Sequence, residues 1–259
     1  MKRIAGIHAA TKGPPMQDGR LMLEWGLGGL HALKERTQVL VVVDVLSFTT
    51  CVDVAVSRGA CIYPFAHRDH ALAEAEASRL GAVAARPRRL AGNGFSLSPR
   101  SLHQATPGQR IILPSPNGSR LSAAAGSTTL FAGCLRNARA TAVAAHRMAG
   151  DGMIAVIAAG ERWPDDTLRP AIEDLLGAGA ILDHLADLRG QMAGSAEARL
   201  AMTCWRAMSM TAADTIRQSH SGRELQAMGY PDDVEMAVAV DVSETAALLC
   251  DGTYFARHS

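Results

Sequence analysis

Val39 to Val43 is an unbroken apolar run, mostly valine, that ends on Asp44 and is followed by Val45, Leu46 and the hydroxyl residues Ser47, Thr49 and Thr50. A short β-branched run without polar alternation is what a strand buried on both faces requires, and it points to a sheet covered by helices on each side. Open α/β sheets bind ligands beyond the carboxyl ends of their strands, which is where Asp44 stands. Hydroxyls and backbone N–H groups opening the next helix could then face an anion. Capping of that helix by Asp44 or Thr49 accounts for the same residues without a ligand. Both readings stay open at this point.

The 259 residues suit one large α/β domain or two small subdomains. Apolar residues make up 48% but aromatics only 4%, so Ala, Val, Leu and Gly must build the interior, as in helices packed closely on a sheet. A formal charge of +1 argues against a nucleic-acid or membrane surface. The basic cluster Arg86-Pro87-Arg88-Arg89 reads as a solvated loop. Cys51, Cys61, Cys134, Cys204 and Cys250 are odd in number and form no CxxC pair. They fit reduced thiols rather than a disulfide framework or a zinc site. With no signal peptide and no run of membrane-spanning length, the expectation is a soluble, cytoplasmic protein.

Along the chain, Arg3–His8 reads as an outer strand and Thr11–Asp18 as a loop. Leu21–Glu35 has helical periodicity. Its Gly26-Leu27-Gly28-Gly29 lies before the main strand rather than between a strand and a helix, and is not read as a nucleotide loop. After Asp44 come a helix over Thr49–Ser57, a strand over Ala60–Phe65, a helix over His70–Leu80 capped by Asp69 and stopped by Gly81, and a short strand at Ala82–Ala85. His67 and His70 lack a third partner and read as solvent-exposed rather than metal ligands. Arg86–Arg100 is a long loop of the kind that is usually functional or mobile. Strands at Arg110–Leu113, Thr128–Ala132 and Met153–Ala159 alternate with an Ala-rich helix after Arg120, a helix from Asn137 to Met148, and one from Pro170 through Leu188. From Ser195 the chain is mostly helical, over Ser195–Met208, Thr211–Gln218, Gly222–Met228 and Asp232–Val240. It ends in an apolar stretch, Ala246–Phe255, expected as an edge hairpin. The two strongest strands each lead through an acidic loop into a helix, which leaves an internal duplication open.

No GxSxG elbow, HExxH, P-loop or GxGxxG after a strand is present. Acids at expected strand ends or helix starts, namely Asp44, Glu161, Glu173 and Asp174, are compatible with a hard cation such as Mg²⁺. Glu173 and Asp174 are equally explained as acids in a first helical turn, where the dipole favours them. Asn117-Gly118-Ser119 followed by Arg120 offers N–H groups, a hydroxyl and a guanidinium to one anion, or else a capped turn. A cation beside an anion-binding loop suggests phosphoryl chemistry, where positioning and charge neutralisation supply most of the barrier reduction.

The segments VVVDVLSFTT, SRGA, GFSLSP, SPNGSR, AAGE, EDLLGAGAI and SGRELQAMGYPDDVEMAVAVDVS occur in that order. Together they resemble the 2-phosphosulfolactate phosphatase family, over roughly residues 39 to 251. The resemblance implies a three-layer α/β/α fold with a mixed, largely parallel sheet. It also implies Mg²⁺-dependent hydrolysis of a phosphomonoester and a small phosphorylated, sulfonated acid as substrate. Carried over, Asp44 matches the family's acid after the first strand, and Glu173-Asp174 match its ED pair. Asn117-Gly118-Ser119 match its NGT, and Asn137 matches an Asn in the following loop. Ser221-Gly222-Arg223-Glu224 match an SGRE segment whose Arg223 could grip phosphate or sulfonate. Glu161 adjoins the family's acidic and basic loop. The implied set is therefore Asp44, Glu173 and Asp174 for catalysis, the same three with Glu161 for the metal, and Asn117, Gly118, Ser119, Arg120, Asn137 and Arg223 for phosphate.

Three positions depart from the family pattern. Ser47 stands where the family often has Arg, which removes an anion-binding charge there. GFSLSP is shorter than the usual GFDLGNSP, and Glu161 to Arg169 is enlarged and carries Trp163, Asp165 and Asp166. The lost charge at Ser47 and the shortened GFSLSP loop motivate a second reading, a non-catalytic protein that binds or senses a small anion on the same fold. Oligomeric state is open, with a homo-oligomer admissible.

Overall fold

A computed structural model describes residues 20–67, 69–190 and 194–257. The strand expected at Arg3–His8 and the loop at Thr11–Asp18 lie outside the described residues. β1 (Leu21–Trp25) is followed directly by α1 (Gly26–Leu33), where one helix over Leu21–Glu35 is expected. Leu21 and Leu23 bury into one core and Met22 into the other, a strand alternation that the helical pattern also accommodates. Gly26 settles the matter: its φ of +56° turns the chain sharply out of the strand. The glycine-rich GLGG therefore opens a helix directly after a strand, and the positional argument for discounting it fails.

β2 (Val39–Val43) is buried along its whole length, Val39, Val41 and Val43 facing one core and Leu40 and Val42 the other. α2 (Phe48–Val56) follows, and each of its residues is buried. β3 (Cys61–Phe65) leads to α3 (His70–Leu80), capped by Asp69 and stopped by Gly81 as expected. β4 (Val83–Ala84) opens the long loop, which contains a 3-10 turn at Arg88–Leu90 and the short α4 (Pro99–Leu102). β5 (Arg110–Pro114), α5 (Gly118–Ala124), β6 (Thr129–Gly133), α6 (Ala138–Ala149) and β7 (Ile154–Ala158) alternate. A two-stranded flap, β8 (Glu161–Arg162) and β9 (Leu168–Arg169), precedes α7 (Ile172–Arg189). Then come α8 (Ala196–Met208), α9 (Ala212–Gln218), α10 (His220–Ala227), α11 (Pro231–Ala237), β10 (Ala246–Cys250) and β11 (Thr253–Arg257).

The large sheet has nine strands in the order β1-β7-β2-β6-β10-β11-β3-β5-β4. β1, β7, β2 and β6 are parallel, and so are β3, β5 and β4. The hairpin expected at an edge lies instead in the middle, β10 antiparallel to β6 and β11 antiparallel to β3. Its burial explains the position: Ala246, Ala247, Leu248 and Tyr254 are all buried, which an edge would not require. The Tyr254 ring meets Phe48 edge-on at 6.1 Å, and its hydroxyl shares a 2.8 Å hydrogen bond with Ser122. α6, α7 and α8 cover one face of the sheet, while α1, α2, α4 and α5 bury the other. The fold is thus a three-layer α/β/α arrangement around a mixed, largely parallel sheet. No helix among the described residues is long and apolar enough to cross a membrane, and the five cysteines are free.

Adjacent strands twist by roughly 20–25°, so the five steps from β2 to β5 accumulate more than a right angle. Strands that are nominally opposed thereby bring their carboxyl ends towards one side, where residues 44–47, 115–118 and 159–161 meet.

Candidate active site

Asp44 leaves β2 buried and with both carboxylate oxygens engaged. Oδ1 accepts the Phe48 N–H at 3.1 Å and Oδ2 accepts the Gly118 N–H at 2.9 Å. Asp44 therefore accepts the first N–H of α2 and also lines a cavity of about 220 Å³. Thr49 Oγ1 donates to the Asp44 carbonyl at 2.8 Å, which fixes the turn from strand to helix.

Gly118 can reach Asp44 because it has no side chain. A Cβ there would stand 2.1 Å from Phe48 Cδ1, and Phe48 is fully buried. Gly118→Ala is accordingly expected to cost about 1–3 kcal/mol of unfolding free energy through overpacking. Urea denaturation followed by circular dichroism measures it, and an unchanged midpoint would contradict the packing described.

Three further acids gather near Asp44. Asp174 bridges two loops, Oδ1 accepting the Val45 N–H at 2.7 Å and Oδ2 the Gly160 N–H at 2.9 Å. Glu173 beside it is buried in the first turn of α7. Glu161 Oε2 accepts from Asn117 Nδ2 at 3.0 Å. Burial, then repulsion from Glu173, pushes the Asp44 pKa up to about 6 against the pull of the Phe48 and Gly118 N–H groups. Burial, then Asp44 and Glu173, pushes Glu161 up to about 7. Burial, with Asp44 and Glu173 again, raises Asp174 well above the ordinary carboxylate range. Burial and neighbouring acids make Asp44, Glu161 and Asp174 costly to ionise, and with Glu173 the four come from three separate segments. Among the described residues no group of three or more His, Cys, Asp or Glu already stands in a metal-holding arrangement.

The other expected site residues divide. Asn117 lines the cavity with Asp44 and Glu161. Gly118 and Ser119 turn inwards instead: the Gly118 N–H is taken by Asp44, and Ser119 Oγ donates to the Leu113 carbonyl at 2.9 Å. Arg120 lines an adjoining cavity of about 410 Å³ with Gly28 and Arg162, which shares Asn117 and Glu161 with the first. Arg223 is exposed and is not part of either wall, whereas its neighbours Ser221 and Glu224 line the 220 Å³ cavity. Asn137 lies at the N-cap position of α6 but caps the preceding turn, its Oδ1 accepting the Cys134 N–H at 2.8 Å. Its Nδ2 donates to the carbonyls of Ala132 and Thr245, both at 3.2 Å, tying the approach to β10 onto β6.

Arg88 is the residue that sequence reasoning missed. Its Nη2 donates to Ser47 Oγ at 2.9 Å and its Nε to Asp233 at 3.3 Å, and its guanidinium lies 5.3 Å from the Tyr230 ring centre. Asp233 is buried and further held by Ser98 and the Arg100 N–H. A cation thus stands against Ser47 from another part of the chain, at the position whose own charge is missing. The only sequence signal was the short basic cluster, which by itself gives no reason to fold inwards.

A model of the 2-phosphosulpholactate phosphatase family matches residues 29–252. The chain belongs to this family. Its members are phosphoric monoester hydrolases by name, and the match takes in both parallel groups of strands except β1, together with the segments that meet at the cavity. A curated relative from Methanothermobacter thermautotrophicus, a 2-phosphosulfolactate phosphatase, is 29% identical over 220 residues, covering 84% of this chain and 89% of its own length.

Proposed function

We propose that the chain hydrolyses a small phosphomonoester of the 2-phosphosulfolactate type to phosphate and the free hydroxy acid, with a divalent cation, Mg²⁺, in the carboxylate cavity. The observation that carries this is that Asp44 and Glu161 line one cavity, with Glu173 and Asp174 buried close enough to act on them, within a chain of this family. An all-oxygen donor set suits Mg²⁺, which takes one or two carboxylates and completes its shell with water and phosphate oxygens. Such a shell needs no three-acid cluster. Asp44 faces the cavity and would hold the ion, with the buried Glu173 adding negative potential behind it. Asp174 is spent on two backbone N–H groups and holds the loops in place. A bound cation supplies charge neutralisation to the phosphoryl oxygens.

Within that frame the residues act as follows. Water adds to phosphorus as the bond from phosphorus to the substrate's hydroxyl oxygen breaks. The proton lost by the water passes to Glu161, whose pKa near 7 suits a proton acceptor at neutral pH and whose carboxylate Asn117 orients. The departing hydroxy-acid oxygen takes a proton from solvent. Arg88 against Ser47 removes the main reason for a non-catalytic reading, since the cavity wall keeps a cation despite that departure.

Phosphate release from a panel of phosphorylated hydroxy acids tests this. Release is expected with Mg²⁺, to stop on chelation and to return on adding the metal back. Release that is indifferent to chelation would sink the cation assignment. Ligand-induced thermal stabilisation with no phosphate release under any divalent ion would favour a binding protein instead.

A further inference from the structure

Behind Arg88 lies a further chamber of about 250 Å³, whose walls are mostly Ala, Pro and Leu and whose charged or titratable lining residues are His67, His70, Arg86 and Arg88. It shares Arg88, Leu97, Ser115 and Pro116 with the carboxylate cavity, so one wall separates the two. Their charges are opposite. Asp44, Glu161 and Glu224 line the first, whereas no carboxylate lines the second among the described residues. Glu74 pairs with both His70 and Arg86 at 3.1 Å, and Asp233 pairs with Arg88, but neither acid forms part of this chamber's lining. His67 and His70, discounted as metal ligands in the sequence, are here two imidazoles beside two guanidinium groups.

We infer that the basic chamber seats the non-reacting sulfonate of the substrate, with Arg88 as the specificity-determining residue between the two compartments. This rests on the phosphatase reading. A phosphoryl group enters a cavity of carboxylates only alongside a cation, while a sulfonate, a permanent anion, is stable among the arginines. The opposed charges of the chambers therefore orient the substrate. Arg88 is pre-organised for this by Ser47, Asp233 and Tyr230, so little side-chain freedom is lost on binding.

Three substrates dissect the inference: 2-phosphosulfolactate, 2-phosphoglycerate, in which a hydroxyl replaces the sulfonate, and glycerol 2-phosphate, which also lacks the carboxylate. Arg88→Met is expected to lower kcat/KM for 2-phosphosulfolactate by about 30- to 100-fold, the range of a lost charge-assisted hydrogen bond, mainly through KM. The loss on the other two substrates is expected to be less than about 5-fold, since neither carries the sulfonate that the charged contact holds. Equal losses on all three would overturn the inference. A loss on 2-phosphoglycerate matching that on 2-phosphosulfolactate would assign the chamber to the carboxylate and overturn the sulfonate assignment. Because Arg88→Met leaves Asp233 buried without its partner, Arg86→Ala, at an exposed side chain, is the companion variant. It is expected to show the same selectivity at smaller amplitude, and an unchanged substrate ratio would count against the chamber. If none of the three substrates releases phosphate, the phosphatase reading fails on its own. Calorimetric binding of sulfolactate to wild type and Arg88→Met then still decides the chamber, a weaker Kd in the variant supporting it and an equal Kd overturning it.

Discussion

Asp44→Asn is expected to reduce kcat/KM for phosphate release by about 1,000-fold or more, the upper range for removing one group that stabilises transition-state charge. The substitution changes charge and one hydrogen-bonding atom but hardly any volume. Asparagine can still accept the Phe48 N–H through its oxygen, so the entrance to α2 survives. Its amide nitrogen then faces the Gly118 N–H, two donors in opposition, at a cost of about 1–3 kcal/mol. Removal of one charge from a group of mutually repelling acids offsets part of that cost. The variant should therefore remain folded, with thermal unfolding little changed and turnover lost. Steady-state phosphate release with saturating Mg²⁺ checks this, and a variant that keeps its full rate would remove Asp44 from the mechanism.

The second large effect concerns pH. Glu161 is pushed from an ordinary 4.5 up to about 7, so between those values the folded chain holds a proton that the unfolded chain has released. Stability contributed by this group is therefore lower above pH 7 than below pH 4.5, and it rises as pH falls through that window. A displacement of this size corresponds to about 3 kcal/mol, or roughly 6–12 °C in Tm for a chain near this length. Asp44, raised to about 6, acts in the same direction over the lower part of the window. The metal-free protein is thus expected to melt at a higher temperature at pH 5 than at pH 8. Glu161→Gln should raise Tm at pH 8 and flatten the profile, which isolates this carboxylate from other groups titrating in that range. Mg²⁺ should raise Tm more at pH 8 than at pH 5, since a cation binding the ionised acids stabilises the folded state by mass action. Scanning calorimetry at the two pH values, with and without Mg²⁺, tests all three, and a profile identical in wild type and Glu161→Gln would remove Glu161 from the group.

Much of the site's acidic half was legible because each acid lies beside a local signal. Asp44 ends a valine run, Glu161 follows the apolar run of β7, and Glu173-Asp174 open the longest helix. What the segments do to one another was not legible. Asn-Gly-Ser reads as an anion nest, yet two of its three residues are turned inwards, with the Gly118 N–H holding Asp44 rather than a ligand. Arg88 reads as solvated, yet it is drawn in by Asp233 and Ser47, which lie far from it in the chain. GLGG opens a helix directly after β1, which the sequence hides because that strand carries a pattern a helix also fits.

The sequence by itself determined the elements whose causes are local. Val39–Val43 is a strand because β-branched residues suit a surface buried on both sides. His70–Leu80 is a helix with defined ends because Asp69 caps it and Gly81 takes the left-handed conformation that stops it. Only the tertiary structure decided that the last hairpin lies in the middle of the sheet, that β2 and β5 bring their ends together, and that Arg88 stands against Ser47. Those outcomes depend on sheet twist, on which apolar faces find each other, and on ion pairs between distant segments. No window of neighbouring residues encodes them, because the energies that select them arise between parts of the chain that meet only on folding.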